Sequence, residues 1–379
     1  MNSLLWYPPA ETCMHPRSVL AALLTKHDDF EASLCSFLGT QTCVVGGSAR
    51  AMMTLLLQVL KQADTQNRDE VLIPAYTCYS VAASVARAGL KIIVYDLDPR
   101  TLGPDPDSLN RCAGSATLAI VHQHLFGIPQ PIEFVRNTSD RFGIPIIEDA
   151  AQGLGGFLNG TPLGALGDYG VFSFGRGKPL AAGNGGAVTG ERQAINALSK
   201  PGSSRCWIPL CMTMVVQVLS HPLLYGLVER LPLGLGKTVF NPGFSITGMP
   251  LVMRRFAERS LANIGSCTDR RRNIAGVYKS CLKSSDMVSE PQGAVPAYPR
   301  FPFYAGPGEV SRQLFRLGVR RMYPRAVPDE PEIAQFLARS DHRVPGARQI
   351  AQNLVSLPTH SRITPRLARE ISALLVKGC

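Results

Sequence analysis

Asp149 closes the apolar run Ile144-Pro145-Ile146-Ile147-Glu148, and Lys178 follows Phe172-Ser173-Phe174-Gly175-Arg176-Gly177. An acid at a strand end and an amine on a nearby Gly-flanked loop are the two groups that pyridoxal phosphate (PLP) chemistry needs. The amine forms a Schiff base with an aldehyde, and the carboxylate keeps a pyridine nitrogen protonated so that the ring acts as an electron sink. Lys178 stands between Gly177 and Pro179, a poor place for a helical surface charge and a suitable one for an amine held on a fixed loop. Taken alone, Asp149 is better explained as a helix N-cap after a strand. Arg176 shares the loop, but a guanidinium stays protonated and suits an anion better than proton transfer.

The surrounding pattern supplies the scaffold. Thr42–Val45 reads as a strand, and Ala51, Met52, Leu55, Leu56 and Val59 then follow helical spacing. Gly47, Ser48 and Ala49 open that helix, so their N–H groups can hold a phosphate; a tight turn with a serine N-cap is the alternative. Further strands are expected at Val71–Ile73, Ile92–Tyr95, Leu118–Val121 and Ile144–Ile147, with helices between most of them. This alternation predicts a mostly parallel sheet covered on both faces. Tyr169–Ser173 and Gly186–Thr189 read as two more strands bracketing the Lys178 loop, at the crevice where open α/β sheets collect ligands. From about Pro250 the pattern changes to a long helical stretch, Arg254–Leu282, and then short proline-rich elements. The expected division is a large domain over 1–245, with an apolar insert at about 201–240, and a small C-terminal domain over 246–379.

Four motifs occur in order: Glu148-Asp149-Ala150-Ala151-Gln152, Gly167-Asp168, Phe172-Ser173-Phe174-x-x-x-Lys178 and Gly185-Gly186-Ala187-Val188. Together with Phe37-Leu38-Gly39, Leu72-Ile73-Pro74-Ala75-Tyr76-Thr77, His124-Leu125-Phe126-Gly127 and Leu357-Pro358-Thr359-His360, the chain resembles the DegT/DnrJ/EryC1/StrS family of PLP-dependent aminotransferases over most of its length. The resemblance implies a fold-type-I PLP-dependent transferase, a mostly parallel sheet in a large domain with a smaller C-terminal α+β domain. It implies PLP on Lys178, Asp149 at the pyridine nitrogen, Gln152 at the phenolic oxygen and Ser173 at the phosphate. Without it, Gln152 is an exposed helical residue and Ser173 an inward strand serine. An amino donor, L-glutamate, a keto-sugar nucleotide acceptor and a homodimer are implied as well. Relatives that act as sugar dehydratases commonly carry histidine in place of the lysine, and Lys178 argues against that activity.

Two departures from the family pattern limit this transfer. Cys78 occupies the position of the aromatic residue that stacks on the cofactor ring, which leaves Tyr79 or the thiol to cover it. Gly243-Phe244-Ser245-Ile246-Thr247 resembles a Gly-Tyr-Asn-x-Arg segment that reaches the partner's site, with Ser245 and Thr247 replacing Asn and Arg. A hydroxyl does not replace a guanidinium charge, so a cross-subunit phosphate contact through Ser245 is weakened.

Composition bounds the remaining classes. The chain has 379 residues, 45% of them hydrophobic and 18% charged, as in ordinary globular proteins. Its net charge of +11 favours anionic partners such as phosphates and carboxylates. Nucleic acid is not expected: the basic residues are scattered, and Arg270-Arg271-Arg272 reads as a solvated helix face. The ten cysteines form no paired Cys-x-x-Cys, which fits reduced thiols in the cytoplasm. His122 and His124 share a strand, but no third ligand gathers with them and no metal is expected. The N-terminus lacks a signal-peptide pattern. The apolar insert is expected to wall the acceptor pocket or meet a partner subunit, with membrane contact through about 206–235 less favoured because the run is too short to span. Its greasiness also admits a lipid-like or polyketide-like carbonyl acceptor, and a non-catalytic PLP-binding regulatory protein is the reading from another class.

Overall fold

The computed structural model describes residues 5–11, 16–25, 27–180, 182–199, 202, 208–230, 239–340 and 342–377. Seven strands form the central sheet: β1 (Cys43–Gly46), β2 (Glu70–Pro74), β3 (Lys91–Tyr95), β4 (Thr117–Gln123), β5 (Ile146–Asp149), β6 (Tyr169–Ser173) and β7 (Gly186–Gly190). Their spatial order is β1-β7-β6-β5-β4-β2-β3. The four pairings from β3 to β6 are parallel, whereas β7 runs antiparallel to both of its neighbours. All seven residues of β4 are buried, as a strand covered by helices on both faces requires. The chain leaves β2 toward β3 on one side and returns to place β4 on the other. The crevice beyond the carboxyl ends of β2 and β4 is therefore the switch point of the sheet.

β5 begins two residues later than the hydrophobic run suggests. Ile144 N–H donates to Ser139 O at 2.9 Å and closes the exit of helix Glu133–Phe142 after the left-handed Gly143 (φ 59°), so the strand starts past Pro145. The shift carries Glu148 and Asp149 into the strand, where Gln123 is in register with Asp149, and Asp149 with Val171.

The helical stretch expected over Arg254–Leu282 is two helices, Leu251–Leu261 and Ile264–Cys281. Asn263 breaks it with non-helical φ −107°, ψ 8°, and its Nδ2 donates to Arg259 O at 3.3 Å, the local competition that keeps asparagine out of helix interiors. Strands Arg300–Tyr304 and Leu354–Pro358 pair antiparallel and pack with helix Pro365–Lys377 in the same apolar cluster that fills the central sheet. Of Arg270, Arg271 and Arg272, only Arg270 is exposed as a solvated face requires. Arg271 is buried and donates to Lys178 O at 3.4 Å, Arg272 donates to Pro296 O at 3.0 Å, and Arg270 reaches Ser361 O. Carbonyls that a solvated lysine or arginine would leave to water are here satisfied by this helix.

Within the apolar insert, helices Ile208–Leu219 and Tyr225–Arg230 are described; Cys206 and Trp207 lie outside the described residues. Leu210 and Thr213 face inward, with Thr213 against Gly183 at the far end of the Lys178 loop. Ile208, Met212, Val215 and Val218 face outward. Among the described residues no helix is long and apolar enough to cross a membrane.

Candidate active site

One cavity of about 590 Å³ opens over the carboxyl ends of the parallel strands. Asp149 and Lys178 line it together with Ser48, Ala49, Gln152, Ser173 and Cys78. Asp149 is delivered by the end of β5. Its Oδ1 accepts the Ala151 N–H at 3.1 Å, and protein encloses it everywhere except on the cavity side. Burial raises its carboxyl above the usual range, while the Lys178 ammonium and the Ala151 N–H pull it back.

Lys178 sits in the connection from β6 to β7. Phe174 N–H to Gly185 O (2.9 Å) and Ala182 N–H to Phe174 O (2.8 Å) tie the loop's two arms together. Gly177 turns it with φ +72°, and a Cβ there would lie 2.6 Å from that of Ala10, so the N-terminal segment packs directly on the loop. Arg176, in contrast, is exposed at the cavity rim.

The helix Ala49–Ala63 points its N-terminus into the cavity. Ser48 caps it by accepting the Ala51 N–H at 3.3 Å, and the next N–H groups belong to the first turn, which has no acceptors of its own. Gly47 does not contribute a free donor: its N–H bonds Thr247 O at 2.7 Å, and a Cβ there would sit 2.7 Å from the same carbonyl. Its role is close approach, which corrects its expected place in the phosphate cradle. Ser173 lines the cavity with a half-buried hydroxyl that accepts Gly175 N–H at 3.4 Å.

Gln152 is buried rather than exposed. Its Oε1 accepts the Phe126 N–H at 3.2 Å, which turns its amide NH2 the other way. Phe126 has φ 58°, a strained value for a bulky residue, and begins the left-handed pair Phe126-Gly127 in the turn after β4. Tyr79 does not reach the cavity. It is buried against Tyr323 and donates to Arg325 O at 3.0 Å, so Cys78 is the residue of that pair at the wall. Ser245 is exposed and outside the cavity of its own chain, while the adjacent Phe244 ring lies 4.8 Å from the Arg50 guanidinium.

His122 and His124 are spent inside the protein. His124 Nδ1 accepts Gln130 N–H at 3.1 Å and Nε2 donates to Glu148 Oε2 at 2.8 Å; burial holds His122 at about pKa 4. Among the described residues no His, Cys, Asp and Glu cluster suits a metal ion.

Apart from the apolar insert, the far wall is built from residues that the sequence did not single out. Arg300, Arg320, Arg321 and Tyr323 reach the cavity from the C-terminal half, and Pro8, Pro9 and Ala10 from the N-terminal segment. Val216, Leu219, Tyr225 and Glu229 of the insert complete it. Pairings across hundreds of residues leave no periodicity to read; Pro8-Pro9 was the one local sign of an extended strap.

The donor set fits PLP on the chain's own terms. A buried acid with a raised pKa and an amine share a wall with a helix N-terminus and two hydroxyls, and Gln123, on the same wall, leaves its Oε1 without a partner. Residues 19–205 match the model of the DegT/DnrJ/EryC1/StrS aminotransferase family. The chain is 32% identical over 159 residues to L-glutamine:2-deoxy-scyllo-inosose aminotransferase of Streptoalloteichus tenebrarius, covering 42% of this chain and 37% of that one. It is 38% identical over 130 residues to a pleiotropic regulatory protein of Geobacillus stearothermophilus, covering 34% and 35%. The matched segments thus span little more than a third of these relatives. DesV of S. venezuelae, solved with a ketimine intermediate, superposes with a TM-score of 0.73 at 22% identity, covering 96% of this chain and 93% of that one. That likeness establishes the fold, and residues 19–205 carry the similarity to the DegT/DnrJ/EryC1/StrS aminotransferase family.

Proposed function

We propose that the protein is a PLP-dependent aminotransferase that takes an amino group from L-glutamate and delivers it to a keto-sugar nucleotide in a biosynthetic pathway. The observation that carries this reading is the shared cavity of Asp149 and Lys178 below a capped helix N-terminus. PLP, when bound, supplies the electron sink that stabilises negative charge on a substrate carbon. The N-terminus of helix Ala49–Ala63 and the hydroxyls of Ser48 and Ser173 would hold its phosphate. Asp149 would keep a proton on the pyridine nitrogen, whose positive charge would offset the carboxylate's own desolvation cost. Gln152, with its Oε1 held by the Phe126 N–H, would have its amide NH2 free for the phenolic oxygen. Lys178 Nζ would hold the cofactor at rest and, once displaced by the amino substrate, would move the proton between the substrate α-carbon and the cofactor, with Val216, Leu219 and the Pro8–Ala10 strap excluding water. A homodimer in the cytoplasm is part of the proposal, with Ser245 presented to the partner subunit because it is exposed and lies outside its own cavity.

The apolar side chains of Val216 and Leu219 at the wall favour a second acceptor class, a lipid-like or polyketide-like carbonyl. Incubating the holoprotein with glutamate and then with keto-sugar nucleotides or apolar ketones, with mass spectrometry of the products, tests both. Conversion of the cofactor to its amine form by glutamate supports amino transfer. Its absence at cofactor saturation leaves a PLP-binding regulatory protein.

A further inference from the structure

The C-terminal wall of the cavity carries a cation that the roles above leave unused. Arg300, Arg320 and Arg321 line it, and the acids on that lining are Asp149 and Glu229. Arg320 is paired: its Nη2 lies 3.3 Å from Glu229 Oε1 and its Nη1 donates to Val319 O at 2.9 Å. Arg321 is committed to carbonyls, with Nε to Gly308 O at 2.9 Å and Nη2 to Gly306 O at 2.6 Å. Arg300 differs from both. Its Nη1 donates to Ser356 Oγ at 3.3 Å, and among the described residues no carboxylate lies within ion-pair distance. Protein surrounds it except toward the cavity, and burial followed by the like charge of Arg320 brings its pKa down to about 10. A half-buried guanidinium without a counter-ion is poorly compensated, and among the described residues four of its five N–H donors have no acceptor and are open to something that enters from the cavity.

We propose that Arg300 anchors an oxyanion of the substrate, a carboxylate or a phosphate, in the C-terminal wall of the cavity. The assignment rests on the amino-transfer reading for the identity of the substrates, though not for the existence of the site. The planar fork matches either oxyanion with two parallel bonds. Two sources share this chemistry: the amino-acid donor through its carboxylate and a nucleotide-linked acceptor through its phosphates.

Calorimetric titration of the PLP-loaded protein with glutarate and, separately, with inorganic diphosphate distinguishes the sources. The expected result is that one of them binds and that Arg300→Gln weakens it by about tenfold or more, with Arg300→Lys between, since it keeps the charge and loses the fork. A glutarate effect assigns the anchor to the donor, and a diphosphate effect to the acceptor. Equal binding to wild type and to a folded Arg300→Gln, or no binding of either anion to wild type, overturns the proposal. If Arg300→Gln does not fold, phenylglyoxal modification of wild type decides: the bound anion should protect the peptide containing Arg300, and unprotected labelling contradicts the site. Arg300-dependent anion binding without cofactor conversion by glutamate would refute the amino-transfer reading alone; conversion without such binding would refute the anchor alone.

Discussion

His124 Nε2 donates to Glu148 Oε2 at 2.8 Å, joining the turn after β4 to β5 one residue before Asp149. Glu148 also accepts N–H groups from Gly164, Leu166 and Gly167, and the pair is fully buried. Burial works to raise the Glu148 carboxyl, but the His124 hydrogen bond and these N–H groups outweigh it and hold it below 4.5. A lowered acid stabilises the fold above its unfolded value, near 4.5, and loses that contribution as pH falls further. Glu148→Gln should cost roughly 3–5 kcal/mol in denaturant unfolding at pH 7. A loss under about 1 kcal/mol would mean the network is incidental.

Asp149 has the opposite sign. Its pKa is raised, so ionising it costs stability as pH climbs through 3.8 and past the folded value. Asp149→Asn should therefore melt no lower than wild type without PLP, while single-turnover rates with glutamate fall by orders of magnitude. Normal rates would reduce Asp149 to a helix cap.

Glu11 predicts an acid-sensitive strap. Burial opposes its ionisation, but His360, Ser361 and Arg362 bring its pKa to about 2, with Arg362 Nε at 2.7 Å and Gln217 Nε2 at 3.2 Å from Oε1. This stabilisation, about 3 kcal/mol, is complete above pH 4.5 and declines as pH falls toward 2. Glu11→Gln should remove it at pH 7 and flatten the acid limb of stability against pH; an unchanged limb would contradict the strap.

Much of this arrangement was legible beforehand because it is local or periodic. The strand-then-Asp149 run, the Gly-flanked Lys178 and the Ser48 turn each announce themselves within a few residues. Gly47 and Tyr79 were misplaced because each makes its decisive hydrogen bond about 200 or more residues away, to Thr247 and Arg325. Arg271 read as solvated because nothing in its helix reveals that Lys178 O lies beneath it. Arg300 stood at the start of an unremarked strand for the same reason.

Adjacent residues of the insert separate wall from surface. Val216 lines the cavity and Val215 is 50% exposed on the outer face. Val216→Ser should raise the apparent acceptor KM while sparing the glutamate half-reaction, and Val215→Ser should leave both within about 0.5 kcal/mol of wild type. Equal loss of both half-reactions in Val216→Ser would indicate misfolding instead.

Borohydride reduction of the PLP-loaded protein followed by peptide mapping tests the central claim most directly. The account predicts a single cofactor adduct on the peptide containing Lys178, absent from Lys178→Ala, which should still bind PLP through the phosphate cradle. An adduct on another lysine, or none at cofactor saturation, would contradict it.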